Sequence, residues 1–256
     1  RLERVSQALP PELRHDPADA PLPPYYPDTL LVRQNVAAYH TQITLMDRSV
    51  GDLLQQLDED GLTEETIVFF FSDHGAGLPR GKRWLHRSGI RVPFLVRCPR
   101  KYRHLVPGGP GEAIDRPVSF VDLAPTMLSL LRLPVPPYMQ GRAFLGANLA
   151  PPRPYVFASR DRVDEVILCS RTVVTPRFQY IRNFHPHRPR MPLSDYSERT
   201  PIRKELRRLA AEGALSGSDA WLVQGATPAE ELYDLTADPS EVANLAASSP
   251  DRKSVV

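Results

Sequence analysis

One run of six residues restricts the fold more than any other part of the chain. It is Thr66-Ile67-Val68-Phe69-Phe70-Phe71, followed at once by Ser72-Asp73-His74-Gly75. The run is short, continuously apolar and made of β-branched and aromatic side chains. It therefore predicts a strand buried on both faces, as in the interior of a mostly parallel sheet. Upstream, Val36, Tyr39, Ile43, Met46, Val50, Leu53 and Leu57 recur at steps of three and four, the apolar stripe of a long helix with Gly61 as its stop. Downstream, Ile90 to Val96 reads as a second strand, and Val121 to Leu131 as a helix with Pro125 tolerable only in its first turn. Strand and helix alternation over about residues 30–150 predicts an α/β layer.

Beyond Pro151-Pro152-Arg153-Pro154 the pattern changes. Tyr155–Ser159, Glu165–Val174 and Arg177–Arg182 are strand-like, and Thr175-Pro176 is a tight turn that should pair the last two antiparallel. Residues 201–212 read as a charged amphipathic helix, and Glu231 to Leu235 as a closing strand. The expectation is a small antiparallel sheet packed on one helix. The chain thus divides into residues 1–150, part of an α/β domain, and residues 151–256, a C-terminal α+β subdomain.

Composition narrows the function. Lys and Arg number 32 against 30 Asp and Glu, too balanced for a chain built to coat nucleic acid. No apolar run approaches the length of a membrane span. Two cysteines, Cys98 and Cys169, exclude a disulfide framework and read as inert thiols. The 28 prolines, about twice the usual share, cluster between elements and suit rigid connections. The chain opens at Arg1 with no leader and reads as starting mid-protein.

Asp73 and His74 stand just past the C-terminal end of the apolar strand, the edge where open α/β sheets bind ligands. A carboxylate beside an imidazole suits a divalent cation; the alternative is a loop turn capped by Asp73. Lys82, in Gly81-Lys82-Arg83, can hold an anionic oxygen as a point charge or stand in solvent. His86 is open to two readings, proton donor or solvent-facing residue. His185-Pro186-His187 lacks a third ligand at zinc spacing and reads as loop. Arg160-Asp161-Arg162, with Asp164-Glu165, is a solvated charged face or the mouth of a site reading a hydroxyl-rich charged substrate.

Four stretches in this order resemble the C-terminal part of type I sulfatases, of the alkaline-phosphatase-like superfamily. They are Tyr25-Tyr26-Pro27-Asp28-Thr29 leading to Met46-Asp47-Arg48-Ser49-Val50-Gly51; Thr66 to Gly75; Gly81-Lys82 to Gly89-Ile90-Arg91-Val92-Pro93; and Glu231-Leu232-Tyr233-Asp234-Leu235 with Asp238-Pro239 and Glu241 to Asn244-Leu245. Arg160-Asp161-Arg162 and Tyr180-Ile181-Arg182-Asn183 are similar to sulfatases acting on carbohydrates, including the heparan N-sulfatase-like branch. The resemblance implies an alkaline-phosphatase-like fold and a sulfuric ester hydrolase. It makes Asp73 and His74 ligands of one divalent cation, usually Ca2+, Lys82 the sulfate-binding lysine, and Arg160, Asp161 and Arg162 substrate-binding residues for a sulfated carbohydrate. Family habit suggests a secreted, periplasmic or lysosomal protein.

His86 and Arg87 depart from the family, which often has Tyr and an acidic residue there. The formylglycine motif, Cys or Ser then x-Pro-x-Arg, has no match: Cys98-Pro99-Arg100 is wrongly spaced and Cys169-Ser170-Arg171 lacks the proline. The expectation is a fragment whose nucleophile, remaining metal ligands and general acid lie upstream, inactive by itself. A phosphodiesterase or phosphonate hydrolase on the same fold, and a non-catalytic binding protein, stay open as alternatives.

Overall fold

The computed structural model describes residues 9–249. A long helix, α1 (Leu30–Glu59), starts at Thr29, whose hydroxyl accepts the Val32 N–H. Only its first three turns are buried, through Val32, Asn35, Val36, Ala37, Ala38 and Thr41. The later part of the apolar stripe, Ile43, Met46 and Leu53, is exposed.

The apolar run yields β1 (Val68–Phe71), four residues long. After a loop and a single helical turn, α2 (Arg87–Ile90), the chain enters β2 (Phe94–Arg97). The two strands pair antiparallel, Phe71 opposite Phe94 and Val68 opposite Arg97. This corrects the expected parallel sheet: among the described residues no strand lies against the other edge of β1. The physical reason is in the connection. Ser72 N–H donates to Pro93 O and Gly75 N–H to Gly89 O, so the loop returns to the end of β1 that it left. A parallel neighbour needs a crossover back to the opposite end. Nor is β1 buried on both faces, since Phe71 is exposed. Its rings join Phe94, Phe120 and Phe144 in an aromatic cluster, Phe71 stacking on Phe94 at 5.6 Å between centroids.

Next, α3 (Leu123–Leu130) carries Pro125 in its first turn, as expected. Asp122 precedes it and is almost wholly buried. Its carboxylate accepts the Ser119 and Arg142 N–H groups and pairs with the Arg153 guanidinium, tying the proline-rich connection to the helix start.

The second half holds β3 (Val156–Val163), β4 (Val166–Val174), β5 (Phe178–Asn183), α4 (Pro201–Ala211), α5 (Gly217–Val223) and β6 (Glu230–Asp234). The strands form one antiparallel sheet in the order β3-β4-β5-β6, with the 175–176 turn between β4 and β5 where the sequence puts it. The packing differs from a sheet resting on a helix. Ile202 and Leu206 of α4 and Leu222 of α5 pack on Val32, Val36 and Ala37 of α1, with Tyr25, Tyr26, Trp84 and Met191. The sheet rests instead on the 85–90 segment, where Leu85 and Ile90 meet Ile181, Tyr233 and Leu235. The loop after β1 is therefore held from both sides by the second half of the chain.

Candidate functional site

Asp73 and His74 fall in the turn that leaves β1, where Ser72 Oγ donates to His74 O at 2.7 Å. The His74 Nδ1–H donates to the carbonyl of Gly75, 2.8 Å away, which fixes the ring and turns Nε2 toward Asp73. That nitrogen stands 3.5 Å from Asp73 Oδ2. Asp73 is well exposed and His74 partly so. The pair places an imidazole nitrogen and a carboxylate oxygen side by side. Two donors do not make a shell: a hard cation takes six to eight oxygens, and among the described residues no three His, Cys, Asp or Glu gather in a metal-holding group. Among the described residues, Asp73 and His74 do not form a cation site by themselves.

Lys82 is tied to the same turn. Its N–H donates to Ala76 O at 2.7 Å, and Gly81 N–H to Leu78 O. A Cβ at Gly81 would fall 2.1 Å from Ala76 O, so the approach needs glycine. On either side of Gly81-Lys82, Arg80 and Arg83 have φ of 64° and 77°, the left-handed region that side chains disfavour. Each is held there by its own guanidinium. Arg80 is buried, donates to Ser240 O and Glu241 O, and lies 4.4 Å from the Tyr25 ring and 5.3 Å from that of Trp221. Arg83 pairs with Asp164 at 2.7 Å and lies 4.6 Å from the Tyr196 ring. The Lys82 ammonium is 5.9 Å from that ring.

His86 is neither a solvent-facing residue nor a free proton donor. It is buried, with Nε2 3.3 Å from Glu231 Oε2. Glu231 also accepts from Tyr233 Oη at 2.6 Å and Asn183 Nδ2 at 2.7 Å. Burial acts to push its carboxyl up, but the His86 hydrogen bond and charge, with those from Tyr233 and Asn183, hold it below the ordinary range. Glu241 behaves oppositely. Burial pushes its carboxyl up, against His86, Arg80 and the Arg87 N–H, and its Oε1 has no partner among the described residues.

The Arg160-Asp161-Arg162 triplet is divided by its strand. Alternation and a bulge between Arg160 and Arg162 send the three side chains different ways. Asp161 pairs with Arg171 and Arg162 donates to Asp164 O, both in solvent. Arg160 alone turns inward, 5.7 Å from the Trp84 ring, to line a cavity with Trp84, His185, Arg190 and Trp221. His185 and His187 lie 5.7 Å apart, ring to ring, as two loop imidazoles. Arg80, Arg190, Glu231 and Glu241 were missed as candidates in the sequence. The Glu231 and Glu241 motifs resembled the family, but nothing local shows that they reach back some 150 residues.

A family model described as "Sulfatase" matches residues 8–133. An ulvan-active sulfatase of Formosa agariphila is 41% identical over 95% of this chain and 40% of its own length. Human N-sulphoglucosamine sulphohydrolase is 31% identical over 91% of this chain and 47% of its own. A solved 2-O GAG sulfatase superposes with a TM-score of 0.60 at 20% identity, over 96% of this chain and 49% of that one. The chain spans less than half the length of these relatives. Residues 8–133 thus match the sulfatase family, and nearly the whole length of the chain is similar to part of two sulfatases.

Proposed function

We propose that the protein to which this chain belongs removes sulfate from a sulfated carbohydrate. In this reading residues 1–150 are the C-terminal half of the catalytic α/β domain and residues 151–256 its α+β subdomain. The observation that carries it is the clamped loop. Two left-handed arginines, each held by its own guanidinium, fix the backbone of Gly81-Lys82, and Lys82 N–H is bonded two residues from His74. Such a lysine is preorganised to stabilise charge on sulfate oxygens without reorganising during reaction.

Lys82 binds and orients the sulfate. Asp73 and His74 supply two of the ligands of a divalent cation, taken to be Ca2+, whose other ligands lie outside the described residues. When bound, such a cation supplies charge stabilisation at the sulfate. The nucleophile, expected as formylglycine, and the acid that protonates the departing sugar lie outside this chain. The relatives named for ulvan and for N-sulphoglucosamine support a polysaccharide or oligosaccharide substrate.

The test is Lys82→Ala in the complete enzyme. Turnover of an aryl sulfate should fall by roughly 10²–10³, with the far-ultraviolet spectrum unchanged. Retention of near-full activity would remove Lys82 from the site. Faster cleavage of an aryl phosphonate than of the matching sulfate would favour the phosphonate-hydrolase alternative.

A further inference from the structure

The cavity beside β3 contains charge that the proposed chemistry does not use. Its volume is about 30 Å³, and it is lined by Arg160, Arg190, His185, Trp84 and Trp221, with His86 and Glu231 at one side. This is room for a pair of waters or one small charged group, and too little for a sugar ring.

Arg160 is the unusual member. Among the described residues it makes no ion pair; its guanidinium lies against the face of Trp84. Its cationic neighbours are already matched: Arg83 pairs with Asp164, and Arg203 with Glu198. Burial, and then the charges of Arg83 and Arg203, pull its pKa down to about 10, which leaves it charged at neutral pH. Arg190 is similar. It donates to the Trp221 and Gln224 carbonyls and lies 4.5 Å from the Trp221 ring, yet its Nε is buried with no partner. The one carboxylate at the cavity, Glu231, feels Arg190 but spends its oxygens on His86, Tyr233 and Asn183. Two guanidiniums with unspent donors and one committed carboxylate leave the cavity short of negative charge. A buried cation without a counter-charge is costly, and a planar oxyanion fits the guanidinium fork.

We propose that this cavity is an anion subsite, separate from Lys82, in which Arg160 and Arg190 grip a carboxylate or sulfate group, with the two tryptophans as walls. The proposal rests on the glycan reading for its natural ligand: a second acidic group on the same sugar chain, either a uronate carboxylate or another sulfate. It assigns Arg160 to the subsite and leaves Asp161 and Arg162 outside it.

Trp84 and Trp221 are the two tryptophans of the sequence, and both line the cavity. Intrinsic fluorescence therefore reports on the cavity itself, independently of turnover. The experiment titrates the protein with sodium glucuronate, sodium sulfate and, as a neutral control, glucose at matched ionic strength. A saturable change with at least one anion and none with glucose is expected. Arg160→Ala should weaken it tenfold or more, Arg160→Lys by less, and Arg190→Gln severalfold, while Asp161→Ala leaves it intact and Lys82→Ala leaves the glucuronate response intact. If Arg160→Ala does not fold, as read by circular dichroism, Arg160→Lys carries the test through its weaker titration. No response to either anion, titrations of both Arg160 variants identical to that of the wild type, or loss of the glucuronate response in Lys82→Ala would overturn the subsite. Aryl sulfate turnover measured alongside reads the sulfatase assignment separately, since it depends on Lys82 and not on Arg160.

Discussion

Glu241 holds a carboxylate where water does not reach it, and its titration runs against that of Glu231 a few residues upstream. Glu231 has its carboxyl lowered. Its contribution is present above the ordinary carboxyl value of 4.5 and is lost as pH falls through its folded value. Glu241 has its carboxyl raised. Its contribution is complete below 4.5 and is lost as pH rises through its folded value. Glu241→Gln keeps an acceptor for the Arg87 N–H while removing the charge. The variant should gain stability over the parent progressively as pH rises above 4.5, read as a growing difference in urea midpoints. A constant difference across that range would mean that Glu241 does not titrate against folding.

The same residues show what could be read from the sequence. The Asp73-His74-Gly75 turn was legible because strand, polar pair and glycine are contiguous. Arg160 was legible as a candidate, but its separation from Asp161 and Arg162 depends on strand phase and on a bulge that composition does not reveal. Arg80 gave no signal of its own in the sequence, since nothing beside it shows that Tyr25, Trp221, Ser240 and Glu241 converge on it. Sequence gives residue types and spacing; a buried cation is defined by partners brought from far along the chain.

At the scale of elements, the loop between β1 and β2 is the piece on which the others bear. Gly81→Ala would set a Cβ 2.1 Å from a backbone oxygen, so the loop must open. We expect a loss of about 3 kcal/mol in stability and, in the complete enzyme, a fall in aryl sulfate turnover comparable to that of Lys82→Ala. Wild-type turnover with the predicted stability loss would show that the loop's shape is not what orients Lys82. Helix and strand positions were largely legible, because α1, the β4–β5 hairpin and β6 follow local periodicity and turn chemistry. Strand direction was not. A continuously apolar strand is the usual sign of a parallel interior, but here it describes a strand whose partner is brought back by a closed loop.

For the molecule as a whole, the covered and uncovered faces are unequal. Ile43, Met46 and Leu53 on α1, and Phe71, Leu95, Phe120 and Val121 around the β1–β2 ribbon, are exposed. Exposed apolar side chains invite association when they gather into patches, and the relatives have more than twice the length of chain with which to cover them. The 256-residue chain by itself should bind a hydrophobic dye and self-associate, and Leu95→Lys with Phe71→Lys should shift it toward monomer in sedimentation. Monodisperse behaviour without dye binding would show these faces to be compatible with water. Membrane insertion is not their explanation through helices, since no helix among the described residues is long and apolar enough to cross a bilayer.

The grip of Ser240 and Glu241 on Arg80 also sets an order of events during synthesis. The two ends of that contact are 160 and 161 residues apart. At translation speeds of about 5–20 residues per second, roughly 8–32 s pass between them. Until then the left-handed turn at Arg80 lacks the partners that hold it, and the lysine beside it has no fixed direction. A nascent chain released early, with β6 made but residues 240–241 missing, would carry every candidate residue named for sulfate and cation and still lack their arrangement. Truncation of the complete enzyme after residue 239 should therefore keep the sheet's circular dichroism and abolish aryl sulfate turnover, because Ser240 and Glu241 hold the turn beside Lys82.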